Sequence, residues 1–151
     1  MANKGTADIK NKKASFNYFI YEKYEAGIVL QGSEVKSLRD GKANLVDSYV
    51  QIEGQEAFIK NVHISPYSTA SEKNYDPRRT RKLLLHKYQI SKLVGKAAQR
   101  GFTIVPLRIY FKKGKAKAEI AICKGKHRFD KRESIKKKMQ QREIHRVMRK
   151  K

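Results

Sequence analysis

The side chains with the most chemistry to offer in this sequence are four histidines, one cysteine and a cluster of arginines. His63, His86, His127 and His145 stand far apart, with neither the i,i+4 spacing of a helical metal site nor an obvious carboxylate partner. No phosphate-cradling glycine-rich loop is present, since Gly125-Lys126 lacks the rest of that motif. Asp47-Ser48 and His63-Ile64-Ser65 read as turn and strand-end chemistry. Cys123 has no neighbour at metal-ligand spacing, cannot close an internal disulfide and falls in an apolar run, so a core thiol is expected. No catalytic residue, metal or cofactor is expected from this inventory.

The arginines are different. Arg78, Arg79, Arg81 and Lys82 crowd the point where a helical spacing begins, and cations near a helix N-terminus are disfavoured by roughly 0.3–1 kcal/mol each. Contact with an anion, phosphate above all, accounts for them better than a solvated loop does. The aromatic run at 18–24 is the second candidate. Alternation sends Tyr18, Ile20 and Tyr24 to one face and Phe19, Tyr21 and Lys23 to the other, so one set is core and the other is free to stack on unpaired bases.

The charge balance favours the same partner. Of 151 residues, 36 are Lys or Arg and 14 Asp or Glu, a formal +22. The excess is uneven: residues 1–110 hold 19 basic and 10 acidic side chains, and 111–151 hold 17 and 4. Such an excess costs self-repulsion unless a polyanion is the usual partner. Nucleic acid leads, with an anionic membrane surface behind it. A surface-lying membrane helix needs one wide apolar face. On a helical wheel Ile135 and Met139 fall together, while Ile144, Val147 and Met148 gather on roughly the opposite side. With no single stripe and cations all round, residues 125–151 are expected to be a tail, disordered when free and helical inside a passage walled by phosphates. The polar N-terminus and the lack of a long apolar run predict a soluble, cytosolic chain.

The elements that must position these residues follow from periodicity. After a basic arm at 1–13, residues 14–124 are expected to form one domain. An aromatic-rich strand begins near Phe16 and continues through Gly27 to Gln31, with a bulge or bend at Ala26-Gly27. Gly32-Ser33 offers an N-cap for a short helix carrying Glu34, Val35 and Leu38 up to Gly41. Strands at 45–52 and 57–64 flank Glu53-Gly54-Gln55-Glu56, a hairpin signal. A loop runs to Asn74, and a helix is expected from Asp76-Pro77 to Arg100-Gly101. Strands at 102–112 and 116–123 join through Lys113-Gly114-Lys115. Five to six strands with a helix between the third and fourth is the order of an oligonucleotide-binding barrel, with a sandwich as the alternative.

Several strings, taken in order, carry a family resemblance. They are Tyr24-Glu25-Ala26-Gly27, Gly32-Ser33-Glu34-Val35-Lys36-Ser37-Leu38-Arg39, Gly41-Lys42-Ala43-Asn44-Leu45, Asp47-Ser48-Tyr49-Val50, Asp76-Pro77-Arg78-Arg79-Thr80-Arg81-Lys82-Leu83-Leu84-Leu85 and Gly125-Lys126 with Asp130-Lys131-Arg132. Together they resemble the SsrA-binding (small protein B) family, from about Asn11 to the C-terminus. The resemblance implies a monomeric bacterial trans-translation adaptor on an oligonucleotide-binding barrel. Such a factor binds the tRNA-like domain of transfer-messenger RNA (tmRNA) and brings it to 70S ribosomes stalled on messages without a stop codon. Elongation factor Tu and alanyl-tRNA synthetase would join through the RNA. The implied RNA contacts fall on Asn11, Lys12, Glu25, Leu84 and Lys117, beside the arginine cluster. Read without the resemblance, Leu84 is simply core and Glu25 a bulge-side carboxylate. The implied tail positions, for the decoding centre and vacant messenger channel, are Gly125, Lys126, Phe129, Asp130, Lys131, Arg132, Val147 and Met148. Composition alone also suits a constitutive ribosomal or ribosome-assembly protein.

Overall fold

The computed structural model describes residues 8–67 and 74–149, except the side chains of 128, 129 and 149. The strands are β1 (Ile9–Lys10), β2 (Tyr18–Ile28), β3 (Ala43–Asn44), β4 (Tyr49–Glu53), β5 (Glu56–Lys60), β6 (His63–Ile64), β7 (Arg81–Leu84), β8 (Phe102–Lys112) and β9 (Lys115–Gly125). The helices are α1 (Ala14–Asn17), α2 (Gly32–Arg39), α3 (Lys87–Ala97) and α4 (Arg128–Arg149). Seven strands form one antiparallel sheet in the order β1-β8-β9-β2-β7-β5-β4, and β3 pairs with β6 separately. The sheet curls until β4, at one end, packs against β8 near the other. Six strands have four residues or more, so the expected mainly β, barrel-like body is present.

Alternation made the long hairpin β8–β9 legible. Its buried residues Ile104, Ile109, Ala118, Ile120 and Ile122 fill the interior with Ala26, Ile28, Ile59 and Leu83. Lys113 and Gly114 both take positive φ, the twist a two-residue hairpin turn needs. The β4–β5 hairpin likewise closes over Gly54-Gln55, with Glu53 opposite Glu56. Its strands are shorter than expected because Asp47 and Asn61 enter the left-handed region, which these residue types tolerate. The Asn61 Nδ2 donates to the Asp47 carbonyl at 3.0 Å, tying the two breaks together.

Two local expectations are corrected. First, the bulge lies between Ile20 and Glu22, not at Ala26-Gly27. It flips the alternation, so Ile20 shares a face with Cys123 and Lys23 with Ala121, whereas Tyr24 pairs with Ile120 in the interior. Phe19, Ile20 and Tyr21 are all exposed. Secondly, no helix starts at the arginines: Arg81–Leu84 is a strand between β2 and β5, and α3 begins only at Lys87. The three consecutive leucines fit either period, and strand pairing decided between them. The N-terminal arm is partly structured. Ile9 and Lys10 pair with β8, and the Asn11 amide donates to the Leu107 carbonyl; residues 1–7 lie outside the described part.

Cys123 is buried with Val105 and Ala121 in a smaller cluster, and burial pushes its thiol up to about 11.

Candidate RNA-binding surface

The arginine cluster divides. Arg81 has no exposed surface, and its guanidinium meets the equally buried Glu34 at 2.6 Å. It also donates to the carbonyls of Val62 (2.8 Å) and Pro77 (3.1 Å) and to the Tyr75 hydroxyl (3.2 Å). The expected phosphate contact by Arg81 is therefore corrected: an RNA cannot reach a side chain sealed into the interior. Arg79 is half-buried and bonds the other Glu34 oxygen at 2.6 Å. Burial pushes the Glu34 carboxyl up, yet hydrogen bonds from Arg79, the Gln31 amide and Arg81 together hold it below the ordinary carboxylate range. This network fastens α2 to β7 and to the segment after β6. Of the three arginines only Arg78 stays exposed, with Nη1 donating to the Asn61 side chain at 3.1 Å, while the exposed Lys82 pairs with Glu56 at 2.7 Å.

The three central strands bring other residues together. Gly27 of β2 lies opposite Leu84 of β7 on one side and Lys117 of β9 on the other. Glu25 is two residues back on the same face, within a continuous strand rather than beside the expected bulge or bend. A Cβ at Gly27 would stand 3.3 Å from Leu84 Cβ, so glycine lets the strands approach closely here. Leu84 is 56% exposed while Leu83 is 1% exposed, so a plain core role for Leu84 is ruled out. Glu25, Gly27, Leu84 and Lys117 line one hollow of about 470 Å³ together with Leu85, His86, Tyr88 and Gln89.

Electrostatics keep the hollow's acid ionised. The Tyr110 hydroxyl donates to Glu25, and Lys112 at 3.5 Å and Lys117 add positive field, holding the carboxyl below its usual range against slight burial. Burial and that same bond push Tyr110 up to about 12. An acceptor, a cation and an exposed aliphatic surface thus face one recess, the donor, acceptor and apolar mix that an irregular RNA surface requires.

Asn11 and Lys12 stand apart from this hollow. The Asn11 Nδ2 donates to the Pro106 carbonyl at 3.0 Å, and Lys12 lines a separate recess with Asp8, Lys10, Gly41 and Asn44. His86 was weighed only among the scattered histidines and Tyr88 in no sequence-based set, because an aromatic side chain inside a helical run carries no signal of exposure.

The tail residues from Gly125 to Arg132 gather at the root of α4, whereas Val147 and Met148 lie near its far end. Gly125 ends β9 opposite Tyr18, and the Lys126 ammonium donates to the Ser15 carbonyl (2.9 Å) and Ser134 hydroxyl (2.6 Å). Asp130 sits in the first turn, accepting from the His127 amide at 3.3 Å, a favourable place for an anion. Lys131 lies 5.8 Å from the Phe16 ring centre, and Arg132 is exposed. The Phe129 side chain lies outside the described part. Ile135, Met139, Ile144, Val147 and Met148 are all exposed, as the absence of one apolar stripe predicts. Among the described residues no group of acidic, His or Cys side chains is gathered as a metal site, and no helix is long and apolar enough to cross a membrane.

Comparison with known proteins adds a consistent picture. A family model described as SmpB protein matches residues 8–150. The SsrA-binding protein of Geobacillus thermodenitrificans (strain NG80-2) is 52% identical over 145 residues, covering 96% of this chain and 94% of the relative. That of Sulfurihydrogenibium sp. (strain YO3AOP1) is 60% identical over 134 residues, covering 89% and 88%. A solved structure described as "tmRNA-SmpB: a journey to the center of the bacterial ribosome" superposes with a TM-score of 0.69 at 46% identity, covering 85% of this chain and 94% of that one.

Proposed function

This chain belongs to the SmpB family of SsrA-binding proteins, and we propose from that footing that it is an RNA-binding adaptor of trans-translation. It binds the tRNA-like domain of tmRNA and delivers it to stalled 70S ribosomes, where the nascent chain is tagged and the ribosome released. The solved relative, described as tmRNA-SmpB at the centre of the bacterial ribosome, supports both partners. The work is done in the cytoplasm, and contacts with elongation factor Tu and alanyl-tRNA synthetase run through the RNA.

Within this reading the body grips RNA through the β9–β2–β7 surface. The observation that carries it is Leu84, held exposed in the same hollow as Glu25 and Lys117 while its neighbour Leu83 is buried. Lys117 neutralises phosphate, Glu25 accepts from a base edge or 2′-hydroxyl, and Leu84 supports an unstacked base. Asn11, Lys12 and Arg78 extend the contact from the neighbouring recess and turn. The tail, residues 125–151, serves a separate step. Lys126, Asp130 and Lys131 set the direction of α4 from the body, and the exposed Arg132 is left for the decoding centre. The cations further on, with Val147 and Met148, follow the vacant messenger channel, and its phosphates favour the helix over the free tail's disorder.

Capture of the tagged protein from its own cells, with sequencing of the bound RNA, tests the proposal. tmRNA enriched above ribosomal RNA after a high-salt wash is expected. Ribosomal RNA retained at one copy per subunit would mark a constitutive ribosomal component instead.

A further inference from the structure

Tyr88 is the residue of this surface with the least structural reason to be where it is. It occupies the first turn of α3, where helical side chains lean back toward the N-terminus, here toward the end of β7 that carries Leu84. The residue is 64% exposed, a poor use of an aromatic on solvation grounds alone. One face is nonetheless occupied: the His86 ring stacks on it with centroids 5.6 Å apart and planes 11° from parallel. His86 is held in turn by its position ahead of the helix, where its amide donates to the Gln89 side chain at 3.0 Å. Both rings line the hollow shared by Glu25, Leu84 and Lys117.

We propose that the His86–Tyr88 stack is a preset platform for one unpaired base of the bound RNA, seated against the free face of Tyr88 while the adjoining phosphate meets Lys117. The inference rests on the RNA-binding reading above and adds to it a nucleotide pocket with an assigned stacking partner. A ring already stacked on one side loses little conformational freedom when a base covers the other, so the contact needs no rearrangement. Leu84 forms the adjacent apolar wall and Glu25 the acceptor.

The test measures affinity of the full-length protein for a transcript of the tRNA-like domain at several salt concentrations. Tyr88→Ala is expected to weaken binding about 5- to 150-fold with the salt slope unchanged, because stacking releases no counterions. Tyr88→Phe should bind within about twofold of the parent, since the ring is kept. Lys117→Ala should lower the salt slope by about one. If Tyr88→Ala binds like the parent while Lys117→Ala and Leu84→Ala are weakened, the platform is refuted and the surface stands. If none of the three variants is weakened, the RNA-binding assignment of this whole surface fails. Equal loss in Tyr88→Phe and Tyr88→Ala would assign the effect to the hydroxyl and also overturn the platform.

Discussion

Leu83 and Leu84 are adjacent, identical in type and opposite in fate. Leu83 points into the interior and Leu84 stands in solvent beside Lys117. Leu83→Ala should therefore cost about 2–5 kcal/mol of folding free energy, as buried leucines do. Leu84→Ala should leave stability within about 0.5 kcal/mol and weaken RNA binding. Paired denaturant melts and binding curves would expose a reversed assignment of the two faces. A sequence could not assign those faces, because β7 inverts the usual pattern by burying Arg81 and exposing Leu84. The buried arginine is tolerated only because Glu34 is buried with it. Since the folded-state pKa of Glu34 lies below its ordinary 4.5, its ionisation contributes stability that is fully present above that value. The contribution is lost as pH falls through the lowered folded pKa. Glu34→Gln should be less stable than the parent at pH 7, with the difference shrinking as the pH is taken below about 4.5. Thermal melts from pH 7 to 3 in which the gap stayed constant would remove Glu34 from the account.

At the scale of elements, the strands with clean alternation were readable in advance, and those set by distant partners were not. β8 and β9 came out within two residues because apolar and polar positions alternate along both. The flip of β2 was hidden, since a bulge at Tyr21 is imposed by the register with β9 and leaves no residue signature. Of the surface residues, Glu25, Leu84 and Lys117 came from family resemblance and were brought together by strand pairing. His86 and Tyr88 join them only through the fold, where α3 begins beside the end of β7. The tail helix α4 shows the reverse case, legible in charge but not in stability. Its root is fixed by Lys126 and by Lys131 over Phe16, whereas its later apolar side chains touch little of the body. An isolated helix of this length is marginal in water. Amides at 131–135 of the free protein should be the more protected, and those beyond Lys136 should exchange at nearly the intrinsic rate. Uniform protection along all of α4 would show that the helix is stable without the ribosome.

Over the whole molecule, the formal +22 divides between two tasks. The body turns part of its charge inward, into Glu34 and its arginines, and presents a recess of mixed chemistry to RNA. The 28 residues from Lys124 onward carry 13 Lys or Arg against three acids, and α4 presents much of that charge with no single apolar stripe. Affinity for tmRNA and action on the ribosome should then be separable. Truncation after Lys124, assayed in parallel for binding to the tRNA-like RNA and for tagging on ribosomes stalled at a message end, tests this division most directly. The account predicts RNA affinity within a few-fold of the full chain and no tagging; loss of RNA binding in proportion to tagging would contradict it.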